Sequence, residues 1–369
     1  MRSPLRSMLL TSAVVLIAGC SAPVPADPAG PARQIDYGIA APATPPDLSV
    51  IEAAHREGGL VLYTNANDTQ TGPLVQGFQR AYPGISVRTL SLGPAETFQR
   101  YLSESATGAR TADVVLNSEA TGWMDFVQRG AVADYDDPNL AHLPDYARLL
   151  PGVVAMSEDP LIAVFNKALL PVDQQPKTLA ALAELAPKMP AKIGTYTIGS
   201  SLGYGGTFAY VSRNGDAGWG VLEKLGQFAK AEDSAGTLIT KLTQGQYQAT
   251  FFLSGASRAT VSHDYSQILN YRYLADATPL LPRGIAVTSK AASPNAARVF
   301  VNWVLSVEGQ QAACQGGFTP YRDGVVCPTG LRAIAAEIGQ ENIVPGTYAP
   351  AMVTDQAAVV SRWNKAFGR

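Results

Sequence analysis

The chain has 369 residues and a formal net charge of −2, with 28 Lys and Arg against 30 Asp and Glu. The charges are scattered singly and form no basic stripe, which argues against a nucleic-acid partner. This length is typical of two domains rather than one.

The N-terminus has the parts of a secretory signal peptide. Arg2 and Arg6 form a positive n-region, and the apolar run over 8–18 is too short for a permanent membrane span. The segment "IAGC" that ends at Cys20 resembles the lipobox of bacterial lipoproteins, which predicts cleavage before Cys20 and a lipid anchor on it. An ordinary secreted protein with a chance cysteine at the cleavage site is the alternative.

The segment over 21–47 is rich in Pro and Ala and has almost no periodic apolar face. Such a segment buries too little apolar surface to order itself, so we expect a disordered tether. No later segment is apolar and long enough to cross a membrane.

The remaining cysteines are Cys314 and Cys327. In an exported chain disulfides persist, so we predict a structural bridge between them. A two-thiolate metal site is the alternative, but it lacks companion ligands because His55, His142 and His263 lie far away in sequence. We therefore expect no metal site.

Helices and strands alternate through the first third of the body. The apolar spacing predicts helices over 48–57, at "TGPLVQGFQRAYPG", over 97–107 and over 121–129, with strands over 60–63, at "ISVRTLSLG" and at "ADVVLNS". Such units form a mostly parallel sheet covered by helices, and ligands sit beyond the carboxyl ends of its strands. The residues expected to face this cleft are Thr64, Asn65, Asn67, Asn117 and Ser118.

A second alternating stretch begins near residue 160 and runs through "KIGTYTIG", "GYGGTFAYVS" and "YQATFFLSGASRATV". It is followed by a strand at "LLPRGIAVTSK" and one long amphipathic helix at "ASPNAARVFVNWVLSVEGQQ". The spacing predicts two α/β lobes. The segment over 285–311 would return to the first lobe and leave two crossover strands as a hinge.

Six segments in order carry a family resemblance: "GGLVLYTN", "FQRAYPGISV", "ADVVLNSEATGWMDFVQRGAVADYDDP", "DPLIAVFNKALLP", "ASPNAARVFVNWVLSVEGQQ" and "GGFTPYRDGV". Together they resemble the extracellular solute-binding proteins of ABC importers, in the branch that includes ferric-ion binders. The resemblance covers the chain from about residue 49 to 325.

The resemblance implies an α/β, two-lobed periplasmic-binding-protein-like fold, in which each lobe is a mixed sheet flanked by helices and a two-strand hinge joins them. Lobe 1 would comprise 48–155 and 284–325, and lobe 2 would comprise 156–283, before a C-terminal helical segment over 326–369. It also implies that the protein is a monomer, is not an enzyme and needs no cofactor. Such a protein captures a solute outside the membrane and delivers it to an ABC permease. Lipid on Cys20 would hold it at the extracellular face of the cytoplasmic membrane.

Iron binding is an alternative ligand function. Ferric-ion binders of this branch have an adjacent tyrosine pair in the second lobe, where this chain has Phe251 and Phe252. Phenylalanine cannot ligate iron. Tyr271 and Tyr273 could be proposed instead, but they share one face of an extended segment beside Arg272, which favours packing.

Two clusters of small polar residues are the predicted second-lobe site. The first lies at a helix start, where free N–H groups favour an anionic or hydroxyl-rich ligand, and in the second Arg258 would pair with a carboxylate or phosphate. Caps and turns use the same residue types, so a structural role is the alternative for each. The named residues are Ser200, Ser201, Gly203, Tyr204, Ser254, Gly255, Ser257 and Arg258.

A cationic ligand such as a polyamine is a lesser option. The acids Asp68 and Glu119 lie near the first-lobe mouth, and aromatic walls could come from Tyr63, Trp123 and Tyr204. With Arg258 expected in the same cleft, the balance favours an anion.

The stretch "GSSLG" has the G-x-S-x-G spacing of a hydrolase nucleophile elbow, with Ser201 as its serine. An elbow enzyme needs an acid and then a histidine downstream. Here the one downstream histidine is His263, and the stretch from Ser201 to His263 is short for the several β/α units that such a fold places between them. No H-G-G-G oxyanion loop is present. A serine hydrolase is therefore the remote alternative.

Overall fold

The computed structural model describes residues 37–38, 43–189 and 192–368. The predicted signal peptide and Cys20 lie outside these residues. Two described pieces of the predicted tether contact the rest of the chain: Tyr37 O accepts from Asp323 N at 3.1 Å, and Thr44 N donates to Asn139 Oδ1 at 3.1 Å. Contact with the body thus begins before Leu48, which differs from the expected tether.

The structure contains all seven elements predicted for the first alternating stretch. They are α1 (Leu48–Glu57), β1 (Gly59–Thr64), α2 (Asp68–Ala81), β2 (Ser86–Ser91), α3 (Pro94–Thr107), β3 (Val114–Asn117) and α4 (Ala120–Gln128). Local signals explain their ends. Gly58 closes α1 with a φ of +73°, and the side chains of Asn67 and Gln70 form a capping box that begins α2.

The middle of the chain holds the second alternating stretch. Its elements are β4 (Arg148–Leu150), β5 (Val153–Asn166), α5 (Leu179–Leu185), β6 (Ile193–Tyr196), α6 (Ser201–Gly226), β7 (Ala229–Glu232), α7 (Ala235–Thr243), β8 (Ala249–Ser254), β9 (Leu269–Arg272) and β10 (Thr278–Val287). The helix α6 is interrupted at Gly215, whose φ of +56° and ψ of −139° are not helical. Glycine reaches this backbone region at little steric cost.

The last quarter is mostly helical. It contains α8 (Pro294–Val304), α9 (Val307–Gln315), α10 (Leu331–Ile338), β11 (Ile343–Val344), α11 (Ala351–Thr354) and α12 (Gln356–Ala366). The prediction of one long amphipathic helix after β10 is wrong, because the structure has two helices there, α8 and α9. Ser306 divides the predicted helix because its Oγ accepts from Gly309 N at 3.0 Å and so begins a new helix.

The strands form one sheet with the order β2-β1-β3-β10-β5-β8-β6-β7. β1 is parallel to β2 and β3, whereas β10 is antiparallel to both β3 and β5. The return of the chain to the first group of strands is therefore present, at Gly284–Val287 against β3. The predicted lobe limits at 155/156 and 283/284 remain predictions, and both positions fall within the two long strands β5 and β10.

Aromatic side chains fill the interior on each side of the long strands. Phe78 of α2 meets Phe300 of α8 edge to face, with ring centroids 5.0 Å apart. On the other side, the core includes Phe251, Phe252 and Trp363. Of the helices in the described ranges, none has the length and hydropathy that a bilayer span requires.

The C-terminal segment contacts both long-strand and second-lobe elements. β11 pairs in parallel with the start of β10, and Tyr348 Oη donates to Pro282 O at 2.9 Å. Tyr204 Oη donates to Met352 O, and the Arg362 guanidinium lies 4.7 Å from the Trp219 ring centroid. These contacts hold the chain from Ile343 to Arg362 against β10 and α6.

Cys314 and Cys327 are joined by a disulfide, with Cα atoms 5.9 Å apart. Replacing both by Ser should lower the free energy of unfolding by about 3 kcal/mol. The two cysteines are 13 residues apart in sequence, and a bridge that closes a loop of this length restricts the unfolded chain by about that amount. Urea unfolding followed by tryptophan fluorescence measures the change.

A reductant is the matched control for this prediction. It should destabilise the unmodified protein by the same amount and leave the doubly substituted protein unchanged. Equal stability of the two proteins under oxidising conditions would contradict a stabilising bridge.

Candidate functional site

A polar cavity of about 300 Å³ lies where the carboxyl ends of several strands meet. The loops after β1 and β3 border it from one side, and the segments after β6, β7 and β8 border it from the other. Residues of the long strands β5 and β10 complete it. Its lining is Asn65, Gln70, Pro94, Ser118, Asp159, Tyr196, Ser201, Leu202, Asp233, Ser234, Ala235, Ser254, Ala256, Ser257, Leu281 and Arg283.

Helices begin at this cavity on both of its sides. Pro94, Ser201 and Ala235 are the first residues of α3, α6 and α7, and all three line it. The first N–H groups of a helix lack partners within the helix and carry partial positive charge. Ser200 and Ser234 cap α6 and α7, so both helix starts are held by local hydrogen bonds.

Arg283 of β10 is the one cationic side chain among the described residues that line the polar cavity. The residue is 7% exposed, and its Nη2 lies 3.3 Å from Asp159 Oδ2 on β5. Its Nη1 donates to Asn65 Oδ1, and Asn65 Nδ2 donates to Ser118 Oγ at 2.9 Å. A continuous polar chain thus joins the long strands to the loops after β1 and β3.

Two carboxylates and one tyrosine complete the ionisable lining. Asp233 Oδ1 accepts from Thr197 Oγ1 at 3.3 Å, and Asp159 faces Arg283. Burial raises the pKa of Tyr196 to about 12, and Ser254 N donates to its hydroxyl at 3.5 Å. Tyr196 therefore enters the site as a neutral donor and acceptor at physiological pH.

A smaller apolar chamber of about 160 Å³ adjoins the polar cavity. Ser118, Ser201 and Leu281 border both spaces. Tyr204, which the sequence placed in the ligand cleft, lines this chamber and not the polar cavity.

Five of the predicted binding residues lie together in the polar cavity. They are Asn65, Ser118, Ser201, Ser254 and Ser257. Asn65 and Ser118 follow the parallel strands β1 and β3, and the three serines lie at or after the ends of β6 and β8, which are parallel to each other. Each group therefore meets at the carboxyl edge of its own strands.

The other first-lobe candidates lie outside the lining and hold the loops in shape. Thr64 Oγ1 accepts from Ala66 N at 3.0 Å, and Asn67 caps α2. Asn117 Nδ2 donates to Pro94 O at 2.9 Å, and its Oδ1 accepts from Glu119 N at 2.9 Å. Thr64 and Asn67 are thus used within the loop after β1, and Asn117 ties the loop after β3 to the start of α3.

Three second-lobe candidates are also absent from the lining. Ser200 Oγ accepts from Gly203 N at 3.0 Å, so it acts as a helix cap. A Cβ at Gly203 would lie 2.0 Å from Thr197 O, and one at Gly255 would lie 2.6 Å from Pro160 O. Close backbone packing therefore accounts for glycine at both positions.

The assignment of Arg258 to the ligand cleft needs correction. The residue is 4% exposed, and its guanidinium donates to Tyr273 Oη at 2.9 Å and Thr319 Oγ1 at 2.8 Å. It also donates to Thr329 O at 3.3 Å. These bonds direct Arg258 into the protein, and Arg283 occupies the cavity in its place.

Sequence reasoning missed Arg283, Asp159, Tyr196 and Asp233. The first two lie within strands whose residues are all buried, which gives no local sign of a site. Asp233 directly follows β7. The rule that ligands sit beyond the carboxyl ends of strands, which predicted the residues after β1 and β3, would therefore have found Asp233 as well.

The tyrosines considered for iron lie elsewhere. Tyr271 and Tyr273 contact each other through their rings and are not part of the cavity lining. Phe251 and Phe252 are both buried in the second-lobe core, and Phe252 has a φ of +58°. Within the described ranges, no group of three or more His, Cys, Asp or Glu is arranged to hold a metal ion.

Ser201 has no catalytic partner in the described part of the chain. It is the first residue of α6, whereas His263 is exposed and lies outside the cavity lining. The small residues of "GSSLG" instead begin a helix at the cavity.

The sequence matches the model of the bacterial extracellular solute-binding protein family over residues 74–331. This match spans more than half of the chain, so the protein belongs to that family. Proteins of this kind bind small-molecule solutes and deliver them to ABC permeases. A comparison with curated protein sequences gave no match.

Solved structures show the same fold. The substrate-binding protein of an ABC transporter from Agrobacterium tumefaciens is 21% identical with a TM-score of 0.72, and the match covers 86% of this chain and 97% of that one. Iron-bound HitA from Pseudomonas aeruginosa is 19% identical with a TM-score of 0.68, over 84% and 99% of the two chains. AfuA from Actinobacillus pleuropneumoniae, with fructose-6-phosphate bound, is 16% identical with a TM-score of 0.67, over 84% and 99%.

These similarities show the two-lobed, type II periplasmic-binding-protein fold. At identities of 21% and below they carry the fold alone and not the ligand.

One buried acid lies directly beside the cavity floor. Glu158 precedes Asp159 on β5 and is fully buried. Burial raises its pKa well above the ordinary value of 4.5, and a hydrogen bond from the backbone of Gly346 opposes the rise only in part. Burial of Glu158 within β5 therefore favours the protonated form of its carboxyl.

This burial predicts a pH dependence of stability. Between the unfolded and folded pKa values the folded protein holds a proton that the unfolded chain has lost, so stability falls as pH rises above about 4.5. The fall is up to about 1.4 kcal/mol per pH unit until the folded pKa is passed. Glu158→Gln should reduce this fall, as measured by urea unfolding between about pH 5 and 8.

Glu52→Gln is the control, because Glu52 is exposed on α1. It should leave the pH profile unchanged. A Glu158→Gln protein with the same slope as the unmodified one would show that another group causes it.

Proposed function

We propose that this protein is the solute-binding component of an ABC importer and that its solute is small, polar and anionic. The observation that carries the proposal is the position of Arg283, buried at the floor of a cavity onto which several helices open. The solute would occupy the polar cavity and no bond would be made or broken.

The charge balance supports an anionic group on the solute. Asp159 offsets Arg283, and Asp233 adds one negative charge to the lining. Against these stand the starts of α6 and α7, each equivalent to roughly half a positive charge, whereas Glu96 places a carboxylate in the first turn of α3. Free N–H groups at such starts bind carboxylate and phosphate groups directly.

The hydroxyl and amide groups of the lining suit a polar solute. Asn65 and Ser118 offer them from one side, and Ser201, Ser254 and Ser257 offer them from the other. A solute that bonds to both sides binds the closed form better than the open form. That difference in affinity shifts the population towards closure, and the permease would recognise the closed form.

Membrane attachment belongs to the same proposal. The lipobox-like "IAGC" would place a diacylglyceryl group on Cys20 after cleavage. The protein would then act as a monomer at the extracellular face of the cytoplasmic membrane, close to its permease.

A thermal-shift screen of the purified protein tests the proposed ligand class. The panel contains sugar phosphates, phosphonates, carboxylates, neutral sugars, polyamines and ferric citrate at millimolar concentration. A ligand at about a thousand times its Kd adds roughly 4 kcal/mol, which raises Tm by several degrees. We expect shifts with phosphorylated or carboxylated solutes.

Shifts with polyamines alone, or with ferric citrate alone, would contradict an anionic organic solute. Ferric citrate is checked against citrate, so that an effect of the anion is separated from one of the metal.

Arg283→Gln should weaken the anion found in the screen at least about tenfold, because a charge-assisted hydrogen bond is lost. Isothermal titration calorimetry measures the Kd. Asn65→Ala should weaken it less, because it removes a neutral group.

Arg258→Gln is the matched control, since both arginines are buried. It breaks bonds to Tyr273 and Thr319, so it should lower Tm and leave the Kd unchanged. If Arg258→Gln weakens binding as much as Arg283→Gln, the assignment of the anion to Arg283 is wrong.

A further inference from the structure

The apolar chamber beside the polar cavity is not needed to bind an anionic group. It is walled by Tyr204, Phe208 and Ala209 of α6, by Pro282 of β10 and by Met352 of α11. The two tyrosines of the lining have their hydroxyls engaged with backbone: Tyr204 donates to Met352 O and Tyr348 donates to Pro282 O. The walls therefore present mainly carbon.

The chamber has a volume that suits one benzene-sized ring. Its volume is about 160 Å³, and an apolar cavity of about 150 Å³ stays dry and binds benzene. An apolar space of this size beside a binding cavity can take an apolar group, because the transfer of apolar surface out of water is favourable.

The chamber is bordered from both sides of the long strands, as the polar cavity is. Ser118 to Thr121 at the start of α4 form one border, and α6 forms the opposite one. Leu281 of β10 lies between the two spaces and lines both. A molecule that extends from the polar cavity past Leu281 would enter the chamber.

We propose that the solute has two parts: an anionic head in the polar cavity and a ring-sized apolar part in the chamber. The class is that of aryl, cycloalkyl or short branched alkyl compounds that bear one carboxylate, phosphate or phosphonate. The proposal rests on the proposed function for the head and adds the apolar part to it.

Glu119 restricts this class further. It is the one carboxylate among the described residues of the chamber lining, and its Oε2 is buried without a hydrogen-bond partner there. A second negative charge on the apolar part is disfavoured beside it. A donor N–H or O–H on the ring would instead give the carboxyl a partner.

Matched probes test the chamber. We compare methylphosphonate with phenylphosphonate by isothermal titration calorimetry on the purified protein, because the two share the head and differ by the ring. Phenylphosphonate should bind roughly 10- to 100-fold more tightly, as expected for the burial of a phenyl group. Benzene, followed by ligand-observed NMR, tests the chamber without any head.

Ala209→Leu fills the chamber from α6 and should abolish both the preference for phenylphosphonate and the binding of benzene. Its control is Ala217→Leu, the same change on the exposed face of α6, which should retain both. Circular dichroism and Tm confirm that both variants fold.

The outcomes separate the two proposals. Methylphosphonate that binds as tightly as phenylphosphonate, or a preference that survives Ala209→Leu, overturns the chamber as a subsite and leaves the anionic head standing. Benzene binding that Ala209→Leu removes, without binding of either phosphonate, supports the chamber and counts against the anionic head. Absence of benzene and of both phosphonates overturns the chamber.

Discussion

The antiparallel pairing of β5 with β10 is the interaction on which the rest of the structure depends. In this ladder Leu281 lies opposite Asp159, and Arg283 lies opposite Ser157. Every residue of both strands is buried, so a slip of one position would exchange the faces of all side chains. The register therefore decides that a guanidinium and a carboxylate meet at the cavity floor. The groups of strands on either side are joined to this pair.

The electrostatics of the site follow from the burial of that ladder. The Arg283 guanidinium donates to Asn65 and pairs with Asp159, whereas burial raises the pKa of Glu158 on the same strand as Asp159. The positive potential of the helix starts acts in the same cavity as the Arg283 guanidinium. An anionic solute would complete this arrangement.

The C-terminal segment adds a wall that neither alternating stretch provides. Met352 O accepts a hydrogen bond from Tyr204 of α6, and Tyr348 Oη donates one to Pro282 O of β10. Both Met352 and Tyr348 line the apolar chamber. The chamber therefore exists only because residues far apart in sequence are folded over one face of α6. The solute class inferred from it depends on this packing and not on any motif.

The sequence alone determined the helix and strand order of the first alternating stretch, the family, and the placement of Asn65 and Ser118 at one edge of the sheet. These follow from local periodicity, capping and the rule that parallel strands end at one edge. The tertiary structure decided which arginine faces the cavity. Arg258 and Arg283 are alike in sequence terms, and only long-range partners such as Tyr273, Thr319 and Asp159 distinguish them. Long-range contacts are set by strand register and packing, which residue types do not encode locally.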